Sequence, residues 1–107
     1  MVFVELPIFT RCARGLFTDE DLAQMQLVLL ENPEAGDRIQ SGRGLRKLRV
    51  ALPGRGKRGG ARVIYYYWGS ESRCYLLYAY AKNAAADLTK DQLQQLAEVM
   101  AEELHDG

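Results

Sequence analysis

The chain has 107 residues, of which 48% are hydrophobic and 26% are charged. These proportions are typical of one compact globular domain spanning residues 1–107, and they exclude a disordered, collagen-like or coiled-coil protein. Because no apolar run approaches the roughly 20 residues that cross a bilayer, and because the first residues do not resemble a signal peptide, we expect a cytoplasmic protein with no membrane partner.

The first third of the chain predicts a short strand and two helices. Residues 2–6 favour a strand, and residues 8–13 favour a short helix. A second helix has a clear start, because Thr18 and Asp21 have the spacing of a capping box. Apolar residues then recur at helical spacing until Pro33 follows the end of the helix.

The middle of the chain predicts an antiparallel sheet. After a glycine-rich loop at residues 34–44, we expect strands at 45–52, 61–68 and 73–81, where β-branched and aromatic residues are abundant. Residues 69–72 have the composition of a tight hairpin turn. Links this short favour a meander of antiparallel neighbours.

The last predicted element is an amphipathic helix. Thr89 and Gln92 have the spacing of a second capping box, and an apolar stripe follows at helical spacing. The predicted fold class is therefore α+β, in which N-terminal helices pack on a small antiparallel sheet of about four strands and a C-terminal helix follows.

The formal net charge of zero conceals an uneven distribution. Residues 38–73 contain ten basic residues and one acidic residue, a net charge of +9, and the rest of the chain carries −9. Eight of these ten are arginines, which suit bidentate contact with phosphate, and aromatic residues lie among them at 65–68. The pattern indicates a polyanionic partner, with RNA favoured, although a merely solvated charged face is the alternative.

Alternation along the strands brings several of these side chains together. Lys47 and Arg49 point to one face of their strand. Arg62 begins the next strand, and Tyr80 and Lys82 share a face at the end of the third. We therefore predict that these five side chains converge on one concave side of the sheet. The alternatives are a rim charge for Arg62 and half-buried packing for Tyr80.

A loop rich in glycine and basic residues links the first two strands of the meander. It lacks the spacing of a phosphate-binding P-loop. Its three cations have two interpretations: they are mobile in solvent, or they contact the phosphate backbone of RNA. The residues predicted to bind RNA or the ribosome are Arg46, Arg55, Lys57, Arg58, Arg73 and Asn83.

Neither metal chemistry nor histidine chemistry is expected. Cys12 and Cys74 are too few for a disulfide framework or a zinc site, and both fit buried apolar positions. His105 is the single histidine and lies near the end of the chain, where it has no partner for a catalytic triad.

Five blocks of sequence, taken in order, resemble the HigB/RelE branch of type II toxin–antitoxin toxins. They read NPEAGD, GLRKLR, GKRGGARVIYY, LLYAYAKN and DLTKDQL. The resemblance covers roughly residues 30–100 and implies a ribosome-dependent endoribonuclease that cuts mRNA and needs no cofactor. It also implies a cognate antitoxin, expected to be a DNA-binding HigA-like protein, and a toxin that is monomeric on its own.

The chemistry implied by the resemblance uses cations instead of histidine or metal. The ribose 2′-OH attacks the adjacent phosphate, and cations stabilise the transition state. By position, Lys47 and Arg49 match the family's paired cations, which are Lys-x-Lys in the family and Lys-x-Arg here. Arg62 matches an arginine that binds the transition-state phosphate. Lys82 or Asn83 matches an arginine after the last strand, and Tyr80 would replace the family's C-terminal tyrosine.

Two other functions are compatible with the sequence. One is a ParE-like toxin of the same fold family that inhibits DNA gyrase, and the other is a non-catalytic module that binds RNA or the ribosome. The number of cations predicted to converge on the strand faces favours RNA cleavage over gyrase inhibition.

Overall fold

The computed structural model describes residues 1–52, 59–82 and 87–106, and this part of the chain forms three helices and a five-stranded sheet. The elements are β1 (Val2–Glu5), α1 (Pro7–Arg14), α2 (Asp19–Glu31), β2 (Asp37–Arg38), β3 (Arg46–Val50), β4 (Ala61–Trp68), β5 (Arg73–Ala81) and α3 (Lys90–Asp106). The predicted α+β class is confirmed. None of the helices described is long and apolar enough to cross a membrane.

The sheet has the strand order β1-β5-β4-β3-β2. Strands β3 to β5 form the predicted antiparallel meander, and β2 extends it at one edge. Strand β1 pairs with β5 in parallel. The sheet is therefore mixed and has one strand more than expected. The chain between β1 and β5 supplies the long crossover that a parallel pair requires. The additional strand, β2, has two residues and lies inside the segment predicted to be a loop.

Both predicted capping boxes are present. Thr18 Oγ1 accepts a hydrogen bond from the N–H of Asp21 at 3.1 Å, and the Asp21 carboxylate accepts one from the N–H of Thr18 at 2.8 Å. Thr89 and Gln92 form the same pair of bonds before α3, at 3.1 and 3.0 Å. Each box satisfies two backbone donors that a helix start otherwise leaves unpaired, so both helices begin where the sequence predicts.

Two apolar clusters lie on opposite faces of the sheet. On one face, Phe9 of α1 and Leu29 of α2 pack in a cluster with Val63. On the other face, Leu96 of α3 packs in a cluster with Ile64. We call these the α1/α2 face and the α3 face, since side chains alternate between them along each strand.

A β-bulge in β5 changes which side chains lie on the α3 face. The register between β4 and β5 shifts once, which leaves Leu77 as an extra residue of β5. Because successive side chains point to opposite faces, one extra residue exchanges the faces of every residue after it. Tyr80 therefore lies opposite Arg62, where an uninterrupted ladder would place Ala79.

The segment that precedes β2 is held by one buried tyrosine and one arginine. The fully buried Tyr65 donates from its hydroxyl to the carbonyl of Pro33 at 2.8 Å and accepts from the N–H of Gly36 at 2.9 Å. A Cβ at residue 36 would lie 2.7 Å from the Tyr65 ring, so this close approach requires glycine. Arg46 donates to the carbonyl of Gly36 at 2.8 Å and pairs with the Glu34 carboxylate at 3.5 Å. These contacts fix β2 at the edge of the sheet.

We expect Tyr65→Phe to lower the free energy of unfolding by about 1–3 kcal/mol, because the buried N–H of Gly36 loses its acceptor. Urea denaturation measures the change. Tyr67→Phe is the matched control, since Tyr67 lies on the same strand and is only half-buried, and we expect a change below about 0.5 kcal/mol. Equal losses in the two variants would contradict the role given to the Tyr65 hydroxyl.

Candidate functional site

Basic side chains meet on the α3 face, at the end of the sheet where β4 begins and β5 ends. Arg49, Arg62 and Tyr80 are paired across β3, β4 and β5 and form one row. In the neighbouring row, Lys47 of β3 lies opposite Asp37 of β2. Residues that are paired across strands point to the same face, so these five side chains are neighbours on one surface.

These side chains surround a cavity of about 140 Å³. The residues that line it are Asp37, Lys47, Arg49, Arg62, Lys82 and Asp87. Four of the six are cations and two are carboxylates, which gives the lining a formal charge of +2. A cleft lined by an excess of one charge concentrates the opposite charge. The volume suits a phosphate-sized group and is well below the roughly 300–1,000 Å³ of pockets for drug-sized molecules.

Arg62 is the most deeply buried of the four cations, with 8% of its surface exposed. Its Nη1 donates to the carbonyls of Gly59 and Ala61, which fixes the guanidinium at the start of β4. The turn into β4 requires glycine at residue 60, because its φ is +65° and a Cβ there would collide with the carbonyl of Val50. Since a guanidinium carries five N–H donors, these bonds leave donors for a ligand.

Tyr80 lies beside the same cavity and is 9% exposed. Its hydroxyl donates to the Asp87 carboxylate at 3.2 Å. Burial, and after it the negative charge of Asp87, raises the pKa of Tyr80 to about 12. The phenol therefore stays protonated at neutral pH and remains a hydrogen-bond donor.

The sequence analysis missed two carboxylates of this site, Asp37 of β2 and Asp87, and Asp87 precedes α3. Its Oδ1 lies 2.7 Å from Lys82 Nζ and 3.8 Å from Lys47 Nζ. The hydrogen bond from Lys82 and the charge of Lys47 hold the pKa of Asp87 below its ordinary value. The residue opens the DLTKDQL block, but no strand pattern connects it to the cations, so its position depends on the tertiary fold.

The structure brings together all five residues that the sequence predicted to be catalytic, whereas Arg46 and Arg73, the two described residues among those predicted to bind RNA or the ribosome, lie elsewhere. Arg46 lies opposite Tyr65, on the α1/α2 face, and is engaged by the segment before β2. Arg73 is at the far end of β5, roughly 30 Å along the strand from Lys82, and donates to Tyr75 Oη at 3.4 Å. The remaining four, Arg55, Lys57, Arg58 and Asn83, lie outside the described residues. Functional roles for all of these residues stay predictions.

The aromatic run at residues 65–68 shares the α3 face with the cations only in part. Tyr65 belongs to the apolar cluster on the α1/α2 face, and Tyr66 and Trp68 pack against the cluster on the α3 face. The alternation that brings cations together on one face divides consecutive aromatic side chains between two faces. Tyr80 is instead the tyrosine that lies beside the cavity, where its hydroxyl donates to Asp87.

Within the described ranges, no group of three or more His, Cys, Asp or Glu side chains is placed to hold a metal ion. Burial raises the pKa of the Cys74 thiol to about 12, so that this thiol is protonated and unreactive at neutral pH. The groups that the cavity presents to a ligand are ammonium and guanidinium cations, one phenol and two carboxylates.

We expect the contribution of Asp87 to stability to disappear in acid. Because the pKa of Asp87 in the folded protein lies below the ordinary value of 3.8, folding favours the ionised carboxylate. Its contribution is therefore complete above that ordinary pKa and is lost as the pH falls through the lower folded value. Urea denaturation of the wild type and of Asp87→Asn should give a difference that is constant between about pH 7 and 5 and vanishes below about pH 3. A difference that grows on acidification would contradict the ion pairs.

Comparison with known proteins identifies the family of this chain. The family model described as the RelE toxin of the RelE/RelB toxin–antitoxin system matches residues 4–106. Among solved structures, a double arginine-to-alanine mutant of the E. coli toxin RelE in the free state has a similar fold, with a TM-score of 0.62 and 16% sequence identity over 92% of this chain and 95% of that one. The chain therefore belongs to the RelE family of toxins from toxin–antitoxin systems.

Proposed function

We propose that this toxin is an endoribonuclease that cleaves mRNA on the ribosome and thereby inhibits translation. The observation that carries the proposal is the convergence of four cations, Lys47, Arg49, Arg62 and Lys82, on one phosphate-sized cavity. A cavity of this charge suits a reaction in which negative charge builds up on a phosphate group.

In the proposed reaction the 2′-OH of one nucleotide attacks the adjacent phosphorus. The 2′ oxygen forms a new P–O bond while its proton passes to a solvent base, the bond to the 5′ oxygen of the next nucleotide breaks, and the products are a cyclic phosphate and, once that oxygen is protonated, a 5′-OH. Arg62 and Arg49 lie opposite each other on neighbouring strands, so two guanidinium groups are placed to stabilise the additional charge of the five-coordinate phosphorus.

The departing 5′ oxygen requires a proton. Tyr80 and Lys82 are suited to supply it, because the Tyr80 phenol is protonated at neutral pH and the Lys82 ammonium lies within hydrogen-bond distance of the same carboxylate. Both side chains are carried by the end of β5 or the residue after it, on the side of the cavity opposite β3. The phosphate would thus lie between arginines and proton donors held by different strands.

The partners of the proposed activity follow from the family and from the chemistry. A RelE-family toxin acts with a cognate antitoxin, and we propose a DNA-binding, HigA-like protein in that role. The free toxin is proposed to be a monomer in the cytoplasm, where it meets the ribosome and mRNA.

We expect the purified toxin to cleave mRNA in a bacterial translation extract, and only when ribosomes are present. Arg62→Ala should reduce the rate of cleavage by about 10²–10³-fold, the usual effect of removing one preorganised donor. Lys47→Ala should also lose activity. Primer extension on the recovered mRNA measures the cleavage. Arg14→Ala is the matched control, because it removes the same charge from the exposed end of α1, and its activity should equal that of the wild type.

The same extract distinguishes the other functions. Intact mRNA together with inhibition of gyrase supercoiling would replace the proposal with a ParE-like toxin, and RNA binding without any product would replace it with a binding module. Undiminished cleavage by both Arg62→Ala and Lys47→Ala would overturn the assignment of the site, provided that circular dichroism shows both variants folded.

A further inference from the structure

One carboxylate oxygen lies among the hydrogen-bond donors of the cavity that would bind an RNA phosphate. Asp87 Oδ1 accepts a hydrogen bond from Tyr80 Oη at 3.2 Å and lies 2.7 Å from Lys82 Nζ and 3.8 Å from Lys47 Nζ. Two ammonium groups and a phenol thus converge on a single anionic oxygen. Charge-assisted donors of this kind bind carboxylate and phosphate oxygens alike.

We propose that Asp87 is an internal substitute for the RNA phosphate, which neutralises Lys47 and Lys82 in the free toxin and is displaced when RNA enters the cavity. This inference rests on the proposed function, since the displacing anion is taken to be a phosphate of the RNA backbone. The Asp87 carboxylate thus competes with RNA for the two lysines, and RNA must displace it before cleavage.

The exposure of the ion pairs makes displacement feasible. The Asp87 side chain is 53% exposed, and the two lysine side chains are 32% and 34% exposed. Ion pairs this accessible to solvent contribute little net stability. A phosphate in the cavity would meet the same lysines and also Arg62 and Arg49, so that it has more cationic partners than the carboxylate.

The position of Asp87 in the chain allows it to leave the cavity without unfolding α3. The next residue, Leu88, packs against the apolar cluster on the α3 face, and Thr89 forms the capping box of the helix. The anchored backbone therefore stays in place while the Asp87 side chain turns towards solvent. Side-chain rotation of an exposed residue is fast compared with catalysis.

A carboxylate that competes with RNA inside the cavity has two consequences. Four cations around a cavity of about 140 Å³ repel one another, and Asp87 offsets this repulsion while no RNA is bound. The same carboxylate weakens the binding of any RNA that reaches the cavity with one phosphate alone. RNA that is held by additional contacts, such as mRNA on a ribosome, would displace it more readily.

The test uses an RNA oligonucleotide that is 2′-O-methylated at every ribose, because it retains the phosphates but has no 2′-OH and is not cleaved. Asp87→Asn removes the charge at nearly constant size and should bind this RNA about three- to fivefold more tightly than the wild type, as measured by fluorescence anisotropy. Asp87→Glu keeps the charge and should stay near the wild-type affinity. Asp91→Asn removes the same charge from the exposed first turn of α3 and should also stay near it.

Weaker RNA binding by Asp87→Asn would overturn the inference, because Asp87 would then orient the lysines for RNA. Equal tightening by Asp91→Asn would overturn it as well, since the effect would be one of overall charge. Active cleavage by the wild type with unchanged affinity in Asp87→Asn would leave the proposed function intact and reject the competitor.

A second measurement does not depend on RNA. If no form of the toxin binds the oligonucleotide away from the ribosome, titration with pyrophosphate tests Asp87 alone, and the translation extract separately decides the proposed function. A larger rise in melting temperature for Asp87→Asn than for the wild type supports the inference, and equal rises reject it. If Asp87→Asn does not fold, Asp87→Ser takes its place in both experiments.

Discussion

The rest of the site depends on one extra residue in β5. Leu77 interrupts the alternation of that strand, so the residues before it and after it belong to different phases of the pleat. Without this bulge, Tyr80 and Lys82 would face α1 and α2, and Arg62 would lie opposite an alanine. With it, side chains from β3, β4 and the end of β5 share the α3 face. At the bulge, two consecutive residues, Leu77 and Tyr78, both pack with the cluster on the α3 face.

The four cations of the cavity gather at one end of the α3 face, beyond the residues that α3 covers. The apolar residues of α3 cover the part of the face around Ile64 and Leu77, and the cations lie beyond it, at the end of β5. The segment that leads into α3 brings Asp87 to these cations. Helix α3 therefore packs over this part of the core, and Asp87, two residues before the capping Thr89, supplies negative charge beside the cations.

Much of this architecture could be predicted because its signals are local. Capping boxes need two residues three positions apart, and the shared face of Lys47 and Arg49 needs only alternation along one strand. The contributions of Asp87 and β2 could not be predicted in this way. Asp87 lies outside the strands and helices, and its position beside the lysines depends on the tertiary fold. Strand β2 has only two residues, and these pair because Tyr65 and Arg46 hold the segment before them. The parallel pairing of β1 likewise depends on a partner more than sixty residues away in the sequence.

The net charge of residues 38–73 in the sequence is larger than the net charge of the side chains that line the cavity. The stretch of residues 38–73 carries +9, yet Arg46 faces the opposite side of the sheet and Arg73 lies at its other end. Three cations of that stretch line the cavity together with Lys82, and Asp37 and Asp87 reduce the total to +2. Non-specific attraction of RNA scales with the number of phosphates that cations neutralise, so a lining of low net charge binds weakly without other contacts. Among the described residues, the candidate site therefore depends on the placement of Arg62, Lys47 and Lys82 around one cavity rather than on the number of basic residues in the sequence.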